Sequence, residues 1–183
     1  MQFIKEEFTT ALEIKKSKFI THLCPYDQFD SMMKRLKEEH SKGRHFVYAY
    51  RYLNEHDQIV ENSSDDGEPK GTSGKPSLKA LAGAGLINTG VIIVRYFGGI
   101  RLGTGGLVRA YSDAVNEVST IAQMHIYEKL ETKKLVVEYT NLSKVEYTIN
   151  QINIKIKEKL FDSDVTLILE ATKERLDELD ARL

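Results

Sequence analysis

Arginine and glycine residues recur together between positions 95 and 109, a combination suited to holding a negatively charged group. The candidate residues are Arg95, Gly98, Gly99, Arg101, Gly103, Thr104, Gly105, Gly106 and Arg109. A guanidinium can hold a phosphate through two hydrogen bonds, and the first N–H groups of a helix have no partner within that helix. The helix dipole adds partial positive charge at the same end. The stretch therefore predicts a site for phosphate or another anion.

The spacing of these glycines matches neither of the two common nucleotide-binding loops. Gly98–Thr104 has the outline of a P-loop, but Thr104 stands where that loop carries lysine, and the pattern G-x-G-x-x-G is absent from the sequence. The alternative is that the glycines only form a tight turn between a strand and a helix. We favour a ligand or partner site, because 11 of the 12 glycines lie between Gly67 and Gly106.

A second loop carries three carboxylates within four positions. They are Asp65, Asp66 and Glu68, and they are followed by Gly71, Thr72 and Ser73. Such a group could act as a general base or hold a hard cation, although the spacing lacks the 12-residue pattern of a calcium loop. The acids could instead accept backbone N–H groups in turns, or pair with Arg95 or Arg101. We favour the turn or ion-pair interpretation, because acid-rich loops more often form turns than catalyse.

The remaining polar residues offer weaker candidates. The five histidines are scattered without the spacing of a zinc site, so we expect no metal and no cofactor, and we single out only His45 at the start of a tyrosine-rich strand. Cys24 is the only cysteine and is expected to be a small buried residue. Tyr48, Tyr50 and Tyr52 share one face of that strand, where they could stack nucleobases but are more typical of core packing.

Composition narrows the classes of protein. The chain has 183 residues, of which 41% are hydrophobic and 29% charged, and its 26 basic groups nearly balance 27 acidic ones. A general electrostatic attraction to nucleic acid or to an anionic membrane is therefore not indicated, so RNA binding would need a local patch. There is no apolar run long enough for a bilayer and no apolar segment typical of a signal peptide, so we expect a cytoplasmic protein without membrane contact.

Periodicity predicts that strands and helices position both loops within an N-terminal domain over residues 1–124. We expect a hairpin over Phe8–Cys24, a helix capped by Asp27, a strand at residues 45–53, a helix with Pro76 in its first turn, a buried strand over Val91–Val94 and a long helix after the glycines. The acidic loop is expected to extend from Glu61 to Lys75.

A glycine-free second domain is predicted over residues 125–183. Its pattern reads β-α-β-β-α, with Asn141 as a helix cap, and a ferredoxin-like domain would add one more strand. We therefore expect either that the natural chain continues beyond Leu183 or that the small sheet is completed in another way.

Two long motifs resemble one known family. They are SSDDGEPKGTSGKPSL, from Ser63, and VRYFGGIRLGTGGLVRAY, from Val94, and HFVYAYR, from His45, also fits. With these motifs the sequence resembles the YigZ/IMPACT family over nearly its whole length. The resemblance implies an α+β fold with an N-terminal domain like the second domain of small-subunit ribosomal protein five, and a C-terminal ferredoxin-like domain.

The resemblance also implies a link to translation. Eukaryotic members of the family regulate translation and use an additional N-terminal RWD domain, which we do not expect here. Our first hypothesis is a non-enzymatic binding protein linked to regulation of translation, which recognises RNA or ribosome phosphates, or another anionic ligand, through the arginine and glycine residues. The second is an enzyme acting on a phosphorylated or carboxylated small molecule, with the acidic loop as base or metal ligand. The third is an adaptor that contacts a translation-related protein.

Overall fold

The computed structural model describes residues 1–183, which form two compact units, Met1–Tyr127 and Glu128–Leu183. In each unit helices accompany an antiparallel sheet, so the predicted α+β class is confirmed. None of the helices is long and apolar enough to cross a membrane.

The first unit is built on a five-stranded sheet. In chain order its elements are β1 (Gln2–Phe3), β2 (Phe8–Ile14), β3 (Ser17–Pro25), α1 (Phe29–Glu39), β4 (His45–Leu53), β5 (Ile59–Ser64), α2 (Gly74–Gly83), β6 (Thr89–Tyr96), α3 (Gly103–Ile121) and β7 (His125–Ile126). The sheet order is β2-β3-β6-β4-β5, and all neighbouring strands are antiparallel. The apolar β6 lies at the centre and is buried over its first seven residues, as predicted for a strand covered on both faces.

The two faces of this sheet carry different helices. Helices α2 and α3 cover one face, where Val91 and Ile93 of β6 meet the buried side chains of both helices. Helix α1 covers the other face, where Ile92 and Val94 meet its apolar stripe. Because side chains alternate along a strand, β6 supplies residues to both cores.

The tyrosines of β4 pack mainly against other aromatic rings. The ring of Tyr52 stacks on Tyr26 with centroids 4.2 Å apart, and Tyr48 meets Phe29 at 5.3 Å. The core-packing interpretation of this stripe is therefore confirmed. Cys24 is fully buried in the same cluster, and burial raises the pKa of its thiol to about 12, which suits an unreactive packing residue.

Three local details differ from the sequence predictions. Helix α1 begins at Phe29 after a short 3-10 turn, and Asp27 does not cap it. Strand β5 continues to Ser64 and thereby shortens the acidic loop. The pair His125–Ile126, expected in the second domain, is paired with Gln2–Phe3 inside the first unit. Strand pairing determines the last two of these positions, and residue type does not reveal it.

The second unit has the predicted order β-α-β-β-α. Its elements are β8 (Glu131–Val137), α4 (Leu142–Gln151), β9 (Lys155–Phe161), β10 (Val165–Ala171) and α5 (Lys173–Arg182). The strands form a three-stranded antiparallel sheet of order β8-β10-β9. Alternate side chains of β10 pack under the two helices, which gives this unit its own core. Asn141 occupies the predicted cap position of α4, but its side chain makes no capping hydrogen bond.

Candidate functional site

The acidic loop and the glycine-rich loop meet at one cavity of about 500 Å³ in the first unit. Strand β6 ends at this cavity and continues into the glycine-rich loop, while the start of β4 and the acidic loop form the opposite wall. The lining residues are Arg44, His45, Gly67, Glu68, Pro69, Arg95, Phe97, Arg101, Leu102, Gly103, Thr104 and Leu107. Three arginines therefore line the cavity against one carboxylate.

Volume alone does not distinguish this cavity. Depressions of about 520 Å³ each lie between α2 and α3 and beside Tyr26 and Tyr52. Neither contains an arginine or borders the glycine-rich loop. The cavity between the two loops differs from both depressions in its three arginines and in its position at the start of α3.

A buried ion pair forms the floor of the cavity. Nη1 of Arg95 donates to both carboxylate oxygens of Glu68 at 2.7 Å, and the two side chains are 6% and 3% exposed. The predicted pairing of an acid from this loop with Arg95 is therefore confirmed, and the acid is Glu68. Because a buried charge without a partner is strongly unfavourable, each residue holds the other in place.

His45 joins the same carboxylate from β4. Its Nε2 lies 2.8 Å from Oε1 of Glu68, and its Nδ1 lies 2.7 Å from the backbone oxygen of Asp66. Both ring nitrogens therefore face oxygen atoms of the acidic loop. His45 thereby connects the start of β4 to this loop at the side of the cavity.

Distant parts of the chain complete this network. Tyr111 of α3 donates its hydroxyl to Glu68 at 3.0 Å, and burial, reinforced by the charge of Glu68, raises the pKa of this tyrosine far above its ordinary value. Nη2 of Arg95 donates to Oγ of Ser17 at 3.2 Å, and the backbone N–H of Gly98 donates to the same hydroxyl at 3.3 Å. Hydrogen bonds thus connect the hairpin, β6 and the glycine-rich loop through Ser17 and Arg95.

The other two acids of the loop have structural partners. Asp65 accepts the backbone N–H groups of Gly71 at 2.9 Å, Ser73 at 3.2 Å and Gly74 at 2.8 Å. Burial opposes ionisation of Asp65, but these donors prevail and hold its pKa below the usual range. Since Gly74 is the first residue of α2, Asp65 also satisfies an N–H group that the helix leaves free.

Asp66 holds the loop against β4, and the residues after Glu68 bond within the loop. The carboxylate of Asp66 accepts the backbone N–H of Phe46 at 2.7 Å. The hydroxyl of Thr72 donates to the backbone oxygen of Pro69 and lies 3.0 Å from the hydroxyl of Ser73. The prediction that the aspartates accept backbone N–H groups within the loop is therefore confirmed for Asp65, whereas Asp66 accepts one from β4. Gly71, Thr72 and Ser73 do not line the cavity. No three His, Cys, Asp or Glu side chains of the chain are grouped to hold a metal ion.

The glycine-rich loop presents unpaired donors to the cavity. Arg101 is exposed and makes no ion pair within the chain, and Leu102, the N-cap residue of α3, provides no side-chain acceptor for the first N–H groups of that helix. Gly98 approaches the hairpin so closely that a Cβ there would lie 2.0 Å from the carbonyl carbon of Lys16. Gly103 has φ +74°, where an L-residue is strained.

Arg109 lies apart from the other arginines. It borders a smaller depression of about 240 Å³ together with Lys15, Gly106 and Asp113. Leu107 of the same helix does line the cavity. Arg109 is two residues further along, which corresponds to a rotation of about 200° around the helix axis, so its side chain projects from nearly the opposite side. The structure thus brings Arg95, Arg101, Gly103 and Thr104 together, and leaves Arg109 on another side of α3.

The lining and network residues that were not among the predicted site residues include four with a charged or aromatic side chain. They are Arg44, His45, Phe97 and Tyr111. Arg44 immediately precedes β4 and His45 is its first residue, and only His45 had a signal, as a histidine at a strand terminus. The other three residues have no local pattern that separates them from ordinary surface or core positions.

Comparison with protein-family models gives two matches. Residues 15–119 match the Impact N-terminal domain, and residues 135–183 match a domain of unknown function, DUF1949. The chain belongs to the IMPACT family. The cavity and both loops lie within the part matched by the Impact N-terminal domain.

Bacterial members of the IMPACT family are similar along most of the chain. An IMPACT family member of Haemophilus influenzae is 35% identical over 174 residues, covering 93% of this chain and 84% of its own. IMPACT family member YigZ of Escherichia coli is 35% identical over 178 residues, covering 96% of this chain and 87% of its own. IMPACT family member YvyE of Bacillus subtilis is 33% identical, covering 88% of this chain and 75% of its own.

A solved structure shares this architecture. The crystal structure of a hypothetical protein superposes with a TM-score of 0.68 at 33% identity, covering 99% of this chain and 89% of that one. The two-domain translational regulator Yih1 covers 62% of this chain and 45% of its own at 22% identity, with a TM-score of 0.37, a likeness too low to carry an argument about function.

Proposed function

We propose that this IMPACT family protein binds phosphate groups of RNA, and acts in the cytoplasm in a role linked to regulation of translation. The observation that carries the proposal is the cavity between the two loops, where three arginines and the start of α3 surround a single carboxylate. The link to translation rests on the family resemblance of the two motifs. The phosphate specificity rests on the chemistry of the cavity.

The arginines contribute in two different ways. Arg95 is buried and neutralised by Glu68, so it shapes the wall. Arg44 and Arg101 are exposed and form no ion pair, so their guanidinium groups remain available for bidentate hydrogen bonds to phosphate oxygens. The partial positive charge at the start of α3 acts in the same direction.

The acidic loop does not favour the enzymatic alternative. Both aspartates already accept backbone N–H groups, and Glu68 accepts from Arg95 and Tyr111 while facing His45. A general base or metal ligand needs lone pairs that are free to reach a substrate or a cation. These carboxylates hold the loop in shape instead.

Substitution of the two exposed arginines tests the proposal. Arg44→Glu with Arg101→Glu is expected to abolish measurable binding of a labelled single-stranded RNA at low salt, measured by fluorescence anisotropy. The logarithm of the wild-type binding constant should fall linearly with the logarithm of the salt concentration, with a slope of about −0.7 per phosphate contacted, because counterions are released on binding. The single change Arg101→Glu should make that slope less steep by the equivalent of about one phosphate contact.

Lys34→Glu supplies the matched control. Lys34 is an exposed cation on α1, the helix that covers the opposite face of the sheet, so its reversal changes the net charge as much as the single change Arg101→Glu without touching the cavity. Equal losses in Lys34→Glu and Arg101→Glu would reduce the effect to net charge and overturn the proposal. Absence of RNA binding by the wild-type protein at low salt would overturn it as well.

A further inference from the structure

We propose that Phe97 is a stacking platform for an unpaired nucleobase, so that the cavity takes a nucleotide whose base is free. The inference rests on the proposed phosphate-binding function and adds the base to the phosphate. A single-stranded RNA segment and a free nucleotide share this chemistry, whereas a base-paired duplex does not.

Phe97 is placed where a base could reach it. It lines the cavity and remains 43% exposed, although a side chain of this size is commonly buried. The guanidinium carbons of Arg95 and Arg44 lie 5.6 Å and 5.8 Å from its ring centroid. Arg95 is held by Glu68, so one neighbour of the ring is fixed, while Arg44 is exposed and free to yield to a ligand.

The chemistry of the surroundings favours a nucleotide over a phosphate alone. Proteins that hold single strands combine a basic groove with aromatic rings on which bases stack, because every base has an exposed π-face when it is unpaired. In a duplex the bases are covered by their neighbours, so a side chain at the cavity wall meets only phosphate and sugar. Phe97 beside Arg44 and Arg101 supplies both elements within one cavity of nucleotide-sized volume.

Ile100 offers a natural comparison within the same loop. It is also 43% exposed, but it does not line the cavity. Exposure of apolar side chains in this loop is therefore not confined to the cavity, and only Phe97 combines exposure with an aromatic ring among the arginines. A stacking role predicts that substitutions at these two positions differ in effect.

The experiment compares two probes of equal charge: a short labelled oligouridine and an abasic strand of the same length. Phe97→Ala is expected to weaken oligouridine binding about 5- to 150-fold, the loss of one base–aromatic stack, and to leave the abasic strand unchanged. Phe97→Tyr should retain wild-type affinity for both. Phe97→Leu keeps an apolar side chain without the ring and should behave like Phe97→Ala, while Ile100→Ala should behave like wild type.

The outcomes separate this inference from the function on which it rests. Equal weakening of both probes by Phe97→Ala would mean that the ring only supports the arginines, and would overturn the stacking role while phosphate binding stands. Unchanged binding of both probes would do the same. Failure of the wild-type protein to bind either probe would overturn the proposed function itself. Competition by uridine monophosphate with the same dependence on Phe97 would identify the free nucleotide as a sufficient ligand.

Discussion

The two loops that meet at the cavity use their polar groups in opposite ways. In the acidic loop, Asp65 and Asp66 accept backbone N–H groups and Glu68 is buried in an ion pair. In the glycine-rich loop, Arg101 and the first N–H groups of α3 have no side-chain partner within the protein. The acidic loop is therefore a scaffold, and the glycine-rich loop carries the binding surface that we propose. Substitutions in the two loops should separate stability from binding.

The largest effect is expected at Glu68. Glu68→Gln leaves Arg95 buried without an opposing charge, and is expected to lower the free energy of unfolding of the first unit by about 3–5 kcal/mol. Urea denaturation followed by circular dichroism measures this change. Glu39→Gln is the control, because Glu39 pairs with Arg35 at the surface, and its effect should stay below about 1 kcal/mol. Similar effects of the two substitutions would contradict the scaffold role of Glu68.

Asp65 should show a smaller effect with a defined dependence on pH. Asp65→Asn replaces one acceptor oxygen by an amide donor that faces backbone N–H groups, and should cost about 1–3 kcal/mol at neutral pH. The pKa of Asp65 is lowered in the folded state, so its contribution is fully present above the unfolded pKa of about 4 and is lost as pH falls through the folded value. The wild-type and variant stabilities should therefore converge in acid. A difference that stays constant down to the lowest accessible pH would rule this out.

Within the glycine-rich loop, two neighbouring positions should respond with opposite signs. Gly103→Ala places a Cβ on a residue with φ +74° and is expected to destabilise the protein by about 1–2 kcal/mol. Gly105→Ala adds a Cβ in open space inside α3 and is expected to stabilise it by up to about 1 kcal/mol. Thermal unfolding of both variants provides the measurement. Destabilisation by both would show that the loop is held as tightly as the acidic one.

Much of the fold was accessible from residue patterns. Four consecutive β-branched residues in β6 predicted a strand covered on both faces, because a half-exposed strand would alternate with polar residues. The alternation and helical spacing after residue 125 predicted the order β-α-β-β-α. Asp27 shows the limit of such rules, since capping depends on the angle at which the chain enters the helix, and the chain here makes a 3-10 turn first.

The candidate site was accessible only in part. Sequence placed Arg95, Arg101 and Arg109 in one group because they are close along the chain. The rotation of α3 decides that Arg109 does not line the cavity with the other two. Arg44 and His45 lie about fifty residues earlier in the sequence, and they reach the cavity because β4 pairs antiparallel with β6, with His45 opposite Arg95. Strand pairing of this kind leaves no local signature.

The sequence by itself determined the local features of this protein: the glycine-rich turn between β6 and α3, the acid-rich loop, and the family to which both motifs belong. These features follow from backbone preferences and side-chain periodicity, which act between near neighbours in the chain. Only the tertiary structure decided which acid is paired and which cation is free. Burial gathers Ser17, Glu68, Arg95 and Tyr111 from separate elements into one polar network, and desolvation makes their mutual pairing obligatory while exposed Arg101 needs no internal partner.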